Sequence, residues 1–462
     1  MTWETSWSDP LADYLGHFAG LIGDRRTGVT FGEVVKGIIG AGSLVCERIA
    51  AHSPILATTR KGGQRVIRLA KGESTTRSQL DAASLTAKLR ERGLAQLAEA
   101  AVDELWLMFD GSDLRKPYAE MMPDLMQVKD LDGSLVPGYR TLNVLGVTPQ
   151  RRGILYHRLF SSHEADFISE PVEVQQALAT VHQAIQAVQG WGSVTWIMDR
   201  GLDDVAVWRT IWEQEQQLVC RVQHRERLLA YQTASGAWRE GDVAQAVGGM
   251  QLWTTAQTEM VTTRGRQVRP KAQLVTAEIR ACPVRLTYDG NVRREGAAEW
   301  RQKHLWLVEV RLLGTPLEPW LLITDWPVTD AESALRIFRM YRQRWAVEDS
   351  FKFTKDCLGW EDVQVLDLTA IRTLVALAWV AAGFLYELGV TLEWPEVRML
   401  AKLGGWEERK DRPPGKTVLT RGLQRLFDML TTEALLANHI KQHGALPPRI
   451  AALLQGWSPP DL

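Results

Sequence analysis

The residues best suited to chemistry lie between Tyr341 and Lys355. Tyr341, Arg344, Glu348 and Lys355 follow one another at steps of three, four and seven residues. On a helix turning about 100° per residue, those steps return to one face. One stripe then carries a phenol, two cations and an acid. The acid can hold a metal ion, and the cations and phenol can hold a phosphate beside it. The plain alternative is a solvated helix face with an Arg344–Glu348 ion pair at i,i+4.

Two aspartates upstream extend the set. Asp110 follows the apolar run Leu105 to Phe109, and Asp199 follows Val194 to Met198. Both runs read as buried strands, and the C-terminal ends of strands in open sheets are common ligand sites. If the strands are neighbours, the two carboxylates converge, with Glu348 as the third. Three carboxylates are hard oxygen ligands suited to Mg²⁺ or Mn²⁺. Two such ions about 3.5–4 Å apart can activate an attacking oxygen and stabilise the leaving one at phosphorus. Taken singly, each aspartate before or near a glycine also reads as a turn residue. Asp203 and Asp204 read as solvated or helix-capping residues, and Asp113 lies past the expected strand end.

The elements that must position these groups follow from periodicity. Residues 11–58 read as short helices, with a capping box at Thr30 to Glu33. Residues 59–77 read as a basic loop or small hairpin. Residues 78–101 are helical, with Lys88, Arg90 and Arg92 expected on the surface; this unit reads equally as a DNA-binding region or as a cap on the next domain. From 104 the pattern becomes strand 105–109, strands 139–147 and 154–160, helix 172–188, strand 194–198, helix 202–213 and strand 218–222. That order suits a mixed sheet covered by helices. Residues 224–320 break the rhythm and read as a β-rich insertion. Between 221 and 303 there are 14 Lys and Arg against 8 Asp and Glu, so a polyanion could dock there. A strand at Trp320 to Thr324, one long helix from about 332 to 355, an apolar helix at 367–388, a loop at 403–417 and a helical end complete the chain. The expected units are 1–100 (helical, DNA-binding), 101–223 (core, first part), 224–320 (insertion), 321–390 (core, second part) and 391–462 (helical, possible dimerisation).

Bulk properties narrow the classes. The net charge of −1 over 462 residues means that nucleic-acid binding would need local basic patches. The four cysteines form no CxxC pair, which argues against a zinc site and fits a reducing cytoplasm. No signal-peptide pattern and no apolar run of about 18 residues is expected. The 19 tryptophans exceed what a core of this size needs, leaving room for base stacking.

Over roughly residues 100–365 the chain resembles the DDE transposases of bacterial insertion sequences, the cut-and-paste, insertion sequence 4-like family with the Tyr-x2-Arg-x3-Glu-x6-Lys signature. Tyr341, Arg344, Glu348 and Lys355 match the signature without a gap. Asp110 in Phe-Asp-Gly-Ser and Asp199 in Met-Asp-Arg-Gly match the family's two aspartates, and Leu202 departs from an aromatic common at that place. The resemblance implies an α/β fold: a ribonuclease-H-like mixed-sheet core, interrupted by a β-rich insertion, with helical N- and C-terminal regions. It implies Asp110, Asp199 and Glu348 as catalytic, metal-holding residues with two Mg²⁺ or Mn²⁺ ions. It further implies cleavage at transposon ends, a hairpin intermediate and joining of the 3′-hydroxyl to target DNA, by a homodimer on double-stranded DNA in the bacterial cytoplasm. Lys352 and Arg221 resemble DNA-contacting residues of the family, and Trp320 one that takes the place of a flipped base; a sheet-edge ion pair and a core strand position are the alternatives for Arg221 and Trp320. Two other expectations remain open: a catalytically silent, host-adapted DNA-binding relative, and a structure-selective nuclease on the same core.

Overall fold

The computed structural model describes residues 3–53, 59–72, 78–188, 190–262, 271–287, 303–407 and 413–454. The N-terminal part is helical: α1 (Trp3–Gly16), α2 (Arg25–Ala41), α3 (Cys46–Ala51), α4 (Thr59–Ala70) and α5 (Ala82–Ala98). α2 begins earlier than the Thr30–Glu33 box suggests. The Asp24 carboxylate accepts the backbone N–H groups of Arg26 and Thr27, satisfying two orphan donors at once, and Thr30 instead donates to the Arg26 carbonyl within the helix. α4 stands where a loop or hairpin was expected. Its glycines disfavour a helix, but Val66, Leu69 and Ala70 bury one face, and that burial decides. Residues 73–77 of the same stretch lie outside the described residues. Arg92 is not simply a surface residue: it forms a part-buried ion pair with Glu387.

The strands are β1 (Glu104–Arg115), β2 (Met126–Lys129), β3 (Leu135–Val147), β4 (Arg152–Phe160), β5 (Ser193–Met198), β6 (Gln217–Arg221), β7 (Leu228–Gln232), β8 (Trp238–Asp242), β9 (Gln251–Thr262), β10 (Lys271–Leu286), β11 (Leu305–Leu312) and β12 (Trp320–Thr324). Together they form one mixed sheet in the order β2-β3-β1-β5-β6-β12-β11-β10-β7-β8, with β4 on β3 and β9 on β10. β1 runs antiparallel to β3 and parallel to β5, which runs parallel to β6. β12 pairs antiparallel with β6 and with β11, so the strands between 228 and 312 prolong the same sheet. Within the basic stretch 221–303, residues 263–270 and 288–302 lie outside the described residues.

β1 does not stop at Asp110 as the sequence suggests. Pairing with β3 carries it onward, with Asp110 opposite Asn143 and Asp113 opposite Arg140; ladder hydrogen bonds outweigh the turn preference of Asp110-Gly-Ser-Asp.

Helices cover both faces. α6 (Glu170–Ala187) and α7 (Val205–Glu213) pack on Leu107, Phe109, Trp196 and Leu218. The opposite face, with Met108, Ile197 and Val219, packs in a core with α2, α9 (Ala331–Gln343), α10 (Trp345–Leu358) and α11 (Leu368–Thr391). Among the described residues, the remaining α-helices are α8 (Val243–Gly248), α12 (Trp394–Leu403), α13 (Lys416–His443) and α14 (Pro448–Leu453). α11 is longer than the expected 367–388 helix and is apolar enough by length and composition to cross a bilayer, but 72% of its most apolar window is buried within the fold.

The expected single helix from 332 to 355 is two helices. At Arg344 the backbone stays helical (φ −52°, ψ −34°), but its N–H donates to the Tyr341 carbonyl. This i→i−3 turn is tighter than an α-helical one and separates α9 from α10.

Candidate active site

Strand alternation places the polar residues. Side chains two residues apart share a face. Asp110, Asp199 and Arg221 each come two residues after Met108, Ile197 and Val219, which face the core beneath α9, α10 and α11. Phe109 and Met198 are register partners in the parallel β1–β5 pair, so Asp110 and Asp199 follow side by side. α10 then brings Glu348 over them.

The three carboxylates meet on one guanidinium. Arg344 Nη1 is 3.2 Å from Asp110 Oδ2 and 3.8 Å from Asp199 Oδ2, while Nη2 is 2.7 Å from Glu348 Oε1. The Arg344 side chain is 5% exposed and that of Glu348 is 51% exposed, so the acids run from a buried floor to an open rim. The Tyr341 hydroxyl donates to Asp199 Oδ1 at 3.0 Å, and Arg221 Nη1 is 3.8 Å from the same oxygen. A cavity of about 320 Å³ opens here, lined in part by Arg221, Trp320, Tyr341, Arg344, Trp345 and Glu348.

The site is electrostatically strained. Burial pushes the Asp110 carboxyl up to about 7, and the nearby Asp199 and Glu348 add to the rise against the opposing Arg344. Burial also works against the charged form of Asp199, but Arg344, the Arg200 backbone N–H, the Tyr341 hydroxyl and Arg221 outweigh it and hold that carboxyl below its ordinary value. Burial disfavours the Arg344 cation too, and its phenol and carboxylate neighbours more than reverse the effect. Two neighbouring carboxylates displaced in opposite directions suit acid–base and metal chemistry.

Among the described residues, no group of three or more His, Cys, Asp or Glu side chains is gathered closely enough to hold a metal ion; here Arg344 stands among the acids. The donors are all carboxylate oxygens, the type that suits a hard divalent cation, and the point on which they converge is filled by the Arg344 guanidinium.

The other expected residues divide. Lys355 is on α10, seven residues or roughly 10 Å of helix beyond Glu348, and turns away from the acids: its Nζ donates to the Asp113 carbonyl at 2.9 Å and pairs with Glu361 at 3.2 Å. Lys352, one turn from Glu348, is exposed and has no ion pair among the described residues. Trp320 is 8% exposed, its ring 6.2 Å from Phe338 and 5.3 Å from Tyr341, which favours the core alternative. Asp113 pairs with Arg140. Asp204 caps α7 as expected. Asp203 is not solvated: its backbone closes the 3-10 turn Arg200–Leu202, and its buried side chain accepts the backbone N–H groups of Gln223 and His224 and pairs with Arg227, because a buried carboxylate must be fully satisfied.

Sequence reasoning passed over three residues. Trp345 is 46% exposed and lines the cavity; its spacing of i−3 from Glu348 would have placed it on the same helix face. Arg200 and Arg225 line a second cavity of about 250 Å³ that shares Arg221 and Glu318 with the first. Arg200 follows β5 and Arg225 follows β6, so the parallel pairing of those two strands brings them to one end of the sheet, and no local pattern signals that.

No protein-family model and no curated protein matches the chain. Among solved structures, a cryo-EM structure of a piggyBac transposase synaptic complex with hairpin DNA aligns at a TM-score of 0.43 and 10% sequence identity, covering 100% of this chain and 88% of that chain. A likeness this distant assigns no activity, and the functional reading rests on the site itself.

Proposed function

We propose that this protein is a DNA transposase that cleaves transposon ends and joins the freed 3′-hydroxyl to target DNA. The observation that carries the reading is the convergence of Asp110, Asp199 and Glu348, from β1, β5 and α10, on Arg344. The strand order β4-β3-β1-β5-β6, antiparallel up to β1 and parallel from there to β6, supports a ribonuclease-H-like core. The matching signature in Tyr341, Arg344, Glu348 and Lys355 supports the insertion sequence 4-like assignment and, with it, a hairpin intermediate, a homodimer on double-stranded DNA and a cytoplasmic, nucleoid-associated location.

Two Mg²⁺ or Mn²⁺ ions held by the three carboxylates would activate the attacking oxygen and stabilise the leaving one. Tyr341 fixes the orientation of Asp199 through its hydroxyl. Arg221 and Arg344 place positive charge on the cavity wall and hold the DNA phosphate. Arg200 and Arg225 continue that charge along the adjoining cavity and follow the strand. Lys352 at the exposed rim contacts phosphate, and the exposed Trp345 ring offers a face on which a base can stack. Lys355 acts one step removed, by fixing the end of β1.

Incubation with Mg²⁺ and duplex DNA carrying the sequences that flank the coding region should cleave at the repeat ends, and Glu348→Ala should abolish the cut. Precleaved ends should then be joined to a target plasmid. Cleavage without joining identifies a structure-selective nuclease. The position of Arg344 among the acids favours one further alternative, a silent DNA-binding relative; binding of the same DNA without any cleavage in Mg²⁺ or Mn²⁺ identifies it.

A further inference from the structure

A separate cavity of about 600 Å³ lies where α5, β4, α6 and α11 meet, and its lining includes Arg90, Arg158 and Arg372 together with Thr86, Thr180 and Thr373. None of these residues belongs to the carboxylate site. Two of the arginines are fixed by carboxylates: Arg158 by Glu173 and Arg372 by Glu164. Arg158 engages Glu173 through Nε and Nη2. Arg372 uses Nε for the Leu159 carbonyl and Nη2 for Glu164. Among the described residues, each therefore keeps its Nη1 uncommitted.

Arg90 differs. It is part-buried on α5 and makes no ion pair among the described residues. Burial lowers its pKa against the pull of Tyr156 and Glu91. A guanidinium that is desolvated without a counter-ion is costly, and an anion in the cavity would remove that cost. The cavity also meets two helix N-termini, at Ala82 and Ala83 of α5 and at Thr369 of α11. Asp81 and Asp367 cap those helices by accepting from Ser84 and Ala370. These carboxylates, Asp81 itself on the cavity wall, already supply the anionic partner that a helix N-terminus favours, so the demand for an anion comes from Arg90. The Arg90 guanidinium, the uncommitted Nη1 groups of Arg158 and Arg372 and the Thr180 hydroxyl supply the donors for phosphate oxygens in this concavity, whereas the Thr86 and Thr373 hydroxyls donate to the Ala82 and Thr369 carbonyls. The volume lies within the range of small-molecule sites and exceeds what a bare phosphate fills.

We propose that this cavity binds a phosphate-bearing small molecule of nucleotide size, with Arg90 as its principal charge partner. The proposal does not depend on the transposase reading, and its test does not use DNA cleavage.

Calorimetry of the full chain with AMP and, separately, with inorganic phosphate measures it directly. AMP should bind at one site per chain and more tightly than inorganic phosphate. Arg90→Gln should weaken AMP at least tenfold, while Glu348→Ala leaves it unchanged. AMP should also raise the Tm of the unmodified chain and not that of Arg90→Gln, which separates lost binding from lost folding. Absence of saturable AMP binding, or binding indifferent to Arg90→Gln in a folded variant, overturns the proposal. So does an Arg90→Gln defect confined to duplex DNA, which would make this face a DNA contact instead.

Discussion

Arg344 donates to Asp110 across 234 residues of sequence, Nη1 to Oδ2 at 3.2 Å. The same guanidinium reaches Asp199 and Glu348, so one buried cation neutralises acids from two strands and a helix. Removing it leaves carboxylates crowded without countercharge. Loss of one partner from a buried pair costs about 3–5 kcal/mol. Arg344→Gln should therefore lower the urea midpoint strongly in chelator. Millimolar Mg²⁺ should recover part of the loss, because a divalent cation can take over the neutralising role. Equal midpoints for variant and wild type in chelator would show that the acids do not need Arg344.

Asp110 titrates in an informative window. Its carboxyl is pushed up to about 7 by burial, with Asp199 and Glu348 adding to the effect, so the folded state favours the protonated form. The resulting stabilisation is complete below the unfolded value near 4 and is lost as pH rises through about 7. In metal-free buffer, wild type should lose stability between about pH 4 and pH 7 relative to Asp110→Asn, whose amide cannot ionise. Parallel stability curves for the two proteins would refute the assignment.

Lys352 and Lys355 should behave differently although both lie on α10. Lys352→Ala removes an exposed cation and should change stability by less than about 0.5 kcal/mol. It should weaken DNA binding and reduce the salt slope by about one. Lys355→Ala breaks the ties to the Asp113 carbonyl and Glu361. It should lower the melting temperature while leaving the salt slope nearly intact. Filter binding across a salt series, with calorimetric melting of each variant, separates the two.

Tyr341→Phe keeps the ring against Trp320 and deletes only the hydroxyl that donates to Asp199. Hydrogen bonds to charged groups contribute about 1.5–3 kcal/mol, so the variant should unfold at correspondingly lower urea. Its cleavage rate should fall more than its DNA affinity, since the hydroxyl orients a carboxylate. An equal loss in both would place Tyr341 on the DNA instead.

The carboxylate site was legible because strand and helix periods are strong local signals. Apolar runs before Asp110 and Asp199 placed both aspartates at strand ends, and steps of three and four residues placed Tyr341, Arg344 and Glu348 on one helix face. What was missed depends on partners remote in sequence. β1 runs past Asp110 because β3 pairs with it. Lys355 turns to Glu361 because α10 is long enough to carry it past the acids. The helix from 332 to 355 divides at Arg344, where no Pro or Gly announces a break. Asp203 is buried because Arg227 and two backbone N–H groups, all from the β6–β7 connection, reach it. α4 forms against its own glycines because burial of Val66 and Leu69 outweighs propensity.

The most direct measurement is Mn²⁺ binding followed by electron paramagnetic resonance in the wild type and in Asp110→Asn, Asp199→Asn and Glu348→Gln. Two ions should bind per wild-type chain, and each variant should lose at least one of them while remaining folded by circular dichroism. Identical Mn²⁺ stoichiometry and affinity in all four proteins would contradict a metal site built from these three carboxylates.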